Sequence, residues 1–207
     1  GENSSTVVII CNALNKVETE GKQIHVNCTC NVTPIEMLEL TKLGYSRVIL
    51  LACKEQNCKQ KGIMNRIHVF TAQTLLELAG ENRERIILAR GDVPDVTATC
   101  RKAVDSRINI ALDTCRRPRI QGILKKSRTL IEHGNVYGER FLPHELECIL
   151  SRVIREEFIR QWIEHLLMKQ PYSVKQLADI TGFPASELLK HISYLRTTQR
   201  ITLERIE

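Results

Sequence analysis

The sequence predicts an α/β protein: a small parallel sheet flanked by helices, followed by a helical connector and a winged helix-turn-helix domain. Three observations carry that prediction. Residues 6–11 (TVVIIC), 46–53 (SRVILLAC) and 85–89 (RIILA) are unbroken apolar runs rich in β-branched side chains, the pattern of strands buried on both faces. Helical segments alternate with these runs, as parallel strands joined by crossovers require. From residue 144 the apolar spacing becomes helical, up to a short alternating tail.

Taken in order, residues 6–11 form a first strand and residues 24–28 a second, shorter one. Thr33-Pro34 then opens a helix, with Thr33 as N-cap, Pro34 at the first helical position and Glu36 at the third. Ile35, Leu38 and Leu43 are its expected apolar side, and Gly44 ends it. The strand at 46–53 is followed by a loop, then by an amphipathic helix over 63–78 between Gly62 and Gly80. After the strand at 85–89, residues 93–108 read as a further helix. Residues 109–143 read as a basic connector crossing the surface, with a helix over 120–133 and a break at Gly134, Gly138 and Pro143. A long helix spans 144–169. Residues 173–180 and 184–197 form two short helices around the turn Thr181-Gly182-Phe183, and 200–206 (RITLERI) alternates as a closing strand. The domains expected are therefore 6–108, 109–143 and 144–207.

Composition narrows the function. At 207 residues, with 43% apolar and 26% charged residues, the chain is long enough to bury a real core. Aromatics make up only 4%, which argues against a base-stacking surface for single strands. No apolar run approaches the roughly 20 residues of a membrane span. The polar start at residues 1–6 has neither the basic nor the apolar segment of a signal peptide, so a cytoplasmic location is expected. Eight cysteines in such a setting read as thiols or ligands, not as a disulfide framework.

Four of them, Cys11, Cys28, Cys53 and Cys58, stand where a predicted strand runs out, the last two spaced C-x4-C. In a parallel sheet the carboxyl ends of the strands share one edge, so distant cysteines meet there. Four thiolates at one edge can hold a metal ion or an iron–sulfur cluster; C-x4-C occurs in plant-type ferredoxin loops, whereas zinc ribbons favour C-x2-C knuckles. The plainer alternative is a set of small buried hydrophobes, which suits Cys100, Cys115 and Cys148. Cys30, two residues from Cys28, is expected not to be equivalent to it. It stands as an alternative ligand.

The order Val26-Asn27-Cys28, Thr33-Pro34-Ile35, then 43–53 (LGYSRVILLAC) and Cys58 resembles the family of the delta subunit of methyl-viologen-reducing hydrogenase. There a cysteine-bearing strand leads into a Cys-x5-Pro segment, a helix and an apolar strand ending in Cys-x4-Cys. The resemblance covers about residues 6–108. It implies a [2Fe–2S] cluster held by Cys11, Cys28, Cys53 and Cys58. It also implies an electron-transfer role between a hydrogenase or formate dehydrogenase type subunit and a heterodisulfide-reductase-like flavoprotein, with no bond chemistry of the chain's own. Two departures stand out. The family usually has several cysteines near the first strand, where this chain has Cys11 alone. It also tends to have His after each cysteine of the C-x4-C loop, where Lys54 and Lys59 stand here.

Charge and the C-terminal segment suggest how such a module docks. Residues 101–128 hold nine basic residues against Asp105 and Asp113, a net +7 in a chain whose total is +6. A localised patch of this kind suits an acidic protein partner. The helix-turn-helix offers only Lys190 and Arg196 on its second helix, with Glu187 opposing, which is thin for phosphate neutralisation. Nucleic acid is therefore not the expected partner. The alternative from another class is an iron–sulfur redox-sensing winged-helix transcription regulator. A third is a cluster-free scaffold. The six histidines show no mutual ligand spacing, and no glycine-rich phosphate loop is present.

Overall fold

The structure, a computed structural model, describes residues 6–14, 19, 21–54, 58, 61–92 and 107–202. The chain divides into two compact units, Gly1–Ile154 and Arg155–Glu207.

Four parallel strands form the sheet of the first unit: β1 (Thr6–Cys11), β2 (Lys22–Val26), β3 (Arg47–Ala52) and β4 (Ile86–Arg90), in the order β2-β1-β3-β4. Every residue of β3 is buried, as expected of a central strand covered on both faces. The register sets Ile9 opposite Ile24 of β2 and Leu50 of β3, and Leu50 opposite Leu88 of β4. Val8, Ile10, Ile49, Leu51 and Ala89 make one apolar cluster of the sheet.

Helix α1 (Pro34–Lys42) starts as the residues dictate. The Thr33 hydroxyl accepts from the Glu36 amide, and the Glu36 carboxylate accepts from the Thr33 amide, a reciprocal capping box. Its buried side is Pro34, Met37, Leu38 and Thr41. The expected side of Ile35, Leu38 and Leu43 is thus rotated, and Leu43 is 75% exposed because it lies past the last turn. Helix α2 (Ile63–Leu78) runs between Gly62 and Gly80, with Ile67, Ala72, Leu75 and Leu76 fully buried. A 3-10 turn, Arg83–Arg85, leads into β4, so Arg85 precedes the strand it was expected to start.

The helix expected over 93–108 lies outside the described residues apart from its end; Arg107 and Ile108 enter α3 (Ile108–Cys115). Helix α3 packs on α1 and α2, and α4 (Pro118–Glu132) packs on α2. Residues 109–143 therefore contain two packed helices. Helix α5 (Pro143–Leu167) crosses from the first unit into the second.

In the second unit, the C-terminal half of α5 is joined by α6 (Val174–Thr181) and α7 (Ala185–Thr197). Ser173 and Gln176 form a capping box at α6, and Gly182 ends it at φ +74°. Trp162 stands edge-on between Phe158 and Phe183, at centroid distances of 6.1 and 5.9 Å. Leu177, Leu188 and Leu195 complete the core. Arg160 lies 3.7 Å over the Tyr194 ring and donates to Glu157 at 2.6 Å. Among the described residues this unit contains no strand, so no β-wing is present there. Arg200 pairs with Glu164 instead of opening a strand, and residues 203–207 lie outside the described residues.

Candidate metal centre

The strand order puts a topological switch point on the sheet. From β1 the chain goes to β2 on one side, then returns to β3 on the other, so the crevice at the carboxyl ends of β1 and β3 is where ligands bind in open parallel sheets. Cys11 is the last residue of β1, and Cys53 follows the last residue of β3. Cys28 follows β2 by two residues. The three strand ends thus deliver three thiols to one edge.

Cys11, Cys30, Cys53 and Cys58 form one buried cluster, with Cys28, Leu14 and Met64 packed against it. Cys28 is half-buried. Cys30, by contrast, lies within the buried cluster, so the two are not equivalent. Cys28 is extended (φ −152°, ψ 126°), but Thr29–Asn31 is a 3-10 turn that folds Cys30 back toward Cys28.

Interactions among the thiols trace a connected set. The Cys53 thiol is pushed up to about 12 by burial, then by its hydrogen bond to Cys58 and the charges of Cys58 and Cys11. Cys30 is also pushed up to about 12 by burial, then by the charges of Cys28 and Cys58 and a hydrogen bond to Cys28. The chain of neighbours therefore runs Cys11, Cys53, Cys58, Cys30, Cys28. Cys11 Sγ also lies 3.9 Å from the Asn27 carbonyl oxygen.

The donor chemistry fits a soft cation. Buried thiols that repel one another as thiolates stay protonated on their own, and a bound iron–sulfur group or soft metal ion relieves both burial and repulsion. Such a group would supply one-electron redox chemistry at this edge. The thiols pack as a hydrophobic group, and among the described residues no three His, Cys, Asp or Glu side chains stand in the geometry of a bound metal ion.

Helix α2 points its first turn at the thiols. Met64 packs on them, and the backbone N–H of Asn65 hydrogen-bonds to Cys30. No side chain caps this helix, because its N-cap is Gly62 in the left-handed region (φ +63°). Free first-turn amides and the helix dipole favour negative charge at this position. His68, one turn on, places Nδ1 2.8 Å from the Val32 carbonyl oxygen and is held below its ordinary value by burial. Sequence reasoning singled out neither Asn65 nor His68 here. The available signal was their i, i+3 spacing on a helix whose other inward residues, Thr71 apart, are apolar.

The remaining cysteines separate. Cys115 is fully buried in α3, where burial pushes its thiol up to about 12, as suits a packing residue. Cys148 is exposed, against expectation, because that turn of α5 buries Leu146 and Leu150 instead. Cys100 and Lys59 lie outside the described residues, and Lys54 is exposed. A groove of about 440 Å³ lies elsewhere, beside β4, lined by Arg47, Phe70, Gln73 and Leu88 and flanked by the Arg66–Glu147 ion pair. It does not include the thiols.

The first unit is thus a parallel α/β module with a buried thiol cluster at its switch point. Residues 9–109, just under half of the chain, match the family described as methyl-viologen-reducing hydrogenase, delta subunit. That match supports a hydrogenase-associated electron-transfer role for this region. No curated protein matches the chain significantly. No helix among the described residues is long and apolar enough to cross a membrane.

Proposed function

We propose that the chain is a cytoplasmic electron relay carrying a [2Fe–2S] cluster held by Cys11, Cys53, Cys58 and one thiol of the Cys28/Cys30 pair. One electron enters from a hydrogenase or formate dehydrogenase type subunit and one leaves to a heterodisulfide-reductase-like flavoprotein, with no bond made or broken by the chain itself. The observation that carries this reading is the convergence of buried cysteines at the switch point of a sheet whose sequence matches the hydrogenase delta family. Cys30 shares the buried cluster while Cys28 is half-exposed, which favours Cys30 over Cys28 as the fourth ligand. In this reading residues 6–108 hold the cluster. Residues 109–143, with Arg119, Lys125 and Lys126 exposed, form a docking face for an acidic partner. Residues 144–207, with or without a wing, form a second docking module.

Protein purified anaerobically is expected to contain two irons and two acid-labile sulfides per chain, the stoichiometry of the [2Fe–2S] group itself. Cys53→Ser should abolish the cluster spectrum, and Cys148→Ser should leave it intact. Cys30→Ser is expected to be more damaging than Cys28→Ser. Wild-type protein without iron and sulfide overturns the reading.

The α6–α7 helix-turn-helix favours one other reading, a redox-sensing regulator that binds DNA. Retardation of genomic DNA fragments at physiological salt would support it. Co-purification of a flavoprotein would support the relay.

A further inference from the structure

Asn65 is buried to 1% exposure, yet both Nδ2 and Oδ1 of its side chain lack hydrogen-bond partners among the described residues. A buried amide with neither end satisfied is rare, because each orphaned group carries a desolvation cost. Its place in the fold suggests what it serves. Asn65 is the third residue of α2, and its own backbone N–H reaches Cys30. It shares a helix face with His68, three residues on, which contacts Val32 at the far end of the turn carrying Cys30. The Asn65 amide therefore lies on the side of α2 that packs over residues 28–32, beside the thiol cluster.

We propose that Asn65 is a positioning and tuning residue for the group bound by the cysteines, its side-chain amide donating a hydrogen bond to a sulfur of that group. The inference rests on the relay reading above. It gives the first turn of α2 a specific role, in which one residue supplies two donors, the backbone N–H on Cys30 and the amide Nδ2 on the sulfur beside it. Hydrogen bonds to cluster sulfurs stabilise the more negatively charged, reduced state and raise the potential. Asn at this position keeps the potential higher than an apolar residue of the same size would.

The test compares wild type and Asn65→Leu, with the same branching and number of side-chain heavy atoms but without donors, after the same anaerobic reconstitution with iron and sulfide. Iron content is measured first. A redox titration followed by the EPR signal of the reduced cluster then gives the midpoint potential. The expected shift is to more negative potential, by a factor of ten or more in the reduced-to-oxidised ratio at fixed poise, about 59 mV for one electron. Thermal melting of the metal-free proteins is the second measurement. With no cluster to satisfy the amide, removing it should leave the melting temperature unchanged or raise it.

A lowered potential together with an undiminished metal-free melting temperature supports the assignment. Equal iron and equal potentials overturn it and leave the relay reading standing. A metal-free Asn65→Leu protein that melts clearly lower than wild type makes Asn65 a structural residue and overturns it as well. Wild-type protein that takes up no iron overturns both.

Discussion

Arg85 is 1% exposed, and its guanidinium holds two segments together. Nη1 donates to Glu81 at 2.7 Å, and Nη2 donates to the Thr41 and Tyr45 carbonyls. Nε donates to the Ser46 carbonyl. Thr41 lies in the last turn of α1, where the helix dipole is negative, and its carbonyl also accepts from the Gly44 amide, so the guanidinium adds a cationic donor to that end. Arg85→Met leaves Glu81 buried without this cation and removes the guanidinium donors from the three carbonyls, a loss expected to reach about 3–5 kcal/mol. Urea unfolding should show the midpoint falling accordingly, and Glu81→Gln in the same chain should restore part of it. An unchanged midpoint for Arg85→Met would show that water reaches these groups. None of this was legible in RIILA, where Arg85 read as the edge of a strand. Its carbonyl partners, Thr41, Tyr45 and Ser46, are 39 to 44 residues away, and local pattern carries no information about them. The same holds for Asn65: its type could be noted, but its missing partners belong to the folded state.

Helices and strands were legible where the local chemistry and the burial agree. Thr33, Pro34 and Glu36 announce α1, Gly62 and Gly80 bracket α2, and the unbroken apolar runs announce β1, β3 and β4. Placing cysteines at strand ends followed from this, since parallel strands share a carboxyl edge. What was not legible was how Cys30 lies relative to Cys28, because a 3-10 turn over three residues has no periodic signature. The closing strand expected over 200–206 lies mostly outside the described residues. Arg200, its first residue, pairs with Glu164 on α5, a tertiary contact that no local pattern signals. Gly62 is the element-scale test of how α2 is aimed. Its left-handed φ costs a non-glycine residue about 1–2 kcal/mol, and an added Cβ would stand 2.4 Å from Nη1 of Arg90. Gly62→Ala is expected to lose that much in thermal unfolding. It should also weaken cluster retention, since the first turn of α2 carries the donor to Cys30. Loss of stability with full retention would show that the helix start is structural only.

At the scale of the molecule, each compact unit contains one buried histidine kept below its ordinary value. In the first unit, burial holds His68 down, against the Val32 carbonyl and the Glu36 charge, which act the other way. In the second, burial and then the nearby Arg160 charge hold His191 down; Arg155 adds to them, Glu187 and Glu156 oppose, and His191 Nδ1 has no partner among the described residues. Unfolding returns both rings to a value of about 6.5. Above that pH neither state carries the proton, and the contribution of these groups to stability is complete. Below it the unfolded chain takes up protons that the native ring refuses, so stability falls as the pH drops from about 6.5 toward the lower native values. The chain has a single tryptophan, Trp162, and it lies in the second unit, so its fluorescence reports there while far-UV circular dichroism reports on both units. His191→Gln should flatten the acid dependence of the fluorescence-detected urea midpoint between pH 7 and 5. His68→Gln should flatten the dependence seen by circular dichroism and leave the fluorescence slope as in wild type. A His191→Gln protein whose fluorescence midpoint still falls with the wild-type slope would mean that His191 is not the group resisting protonation.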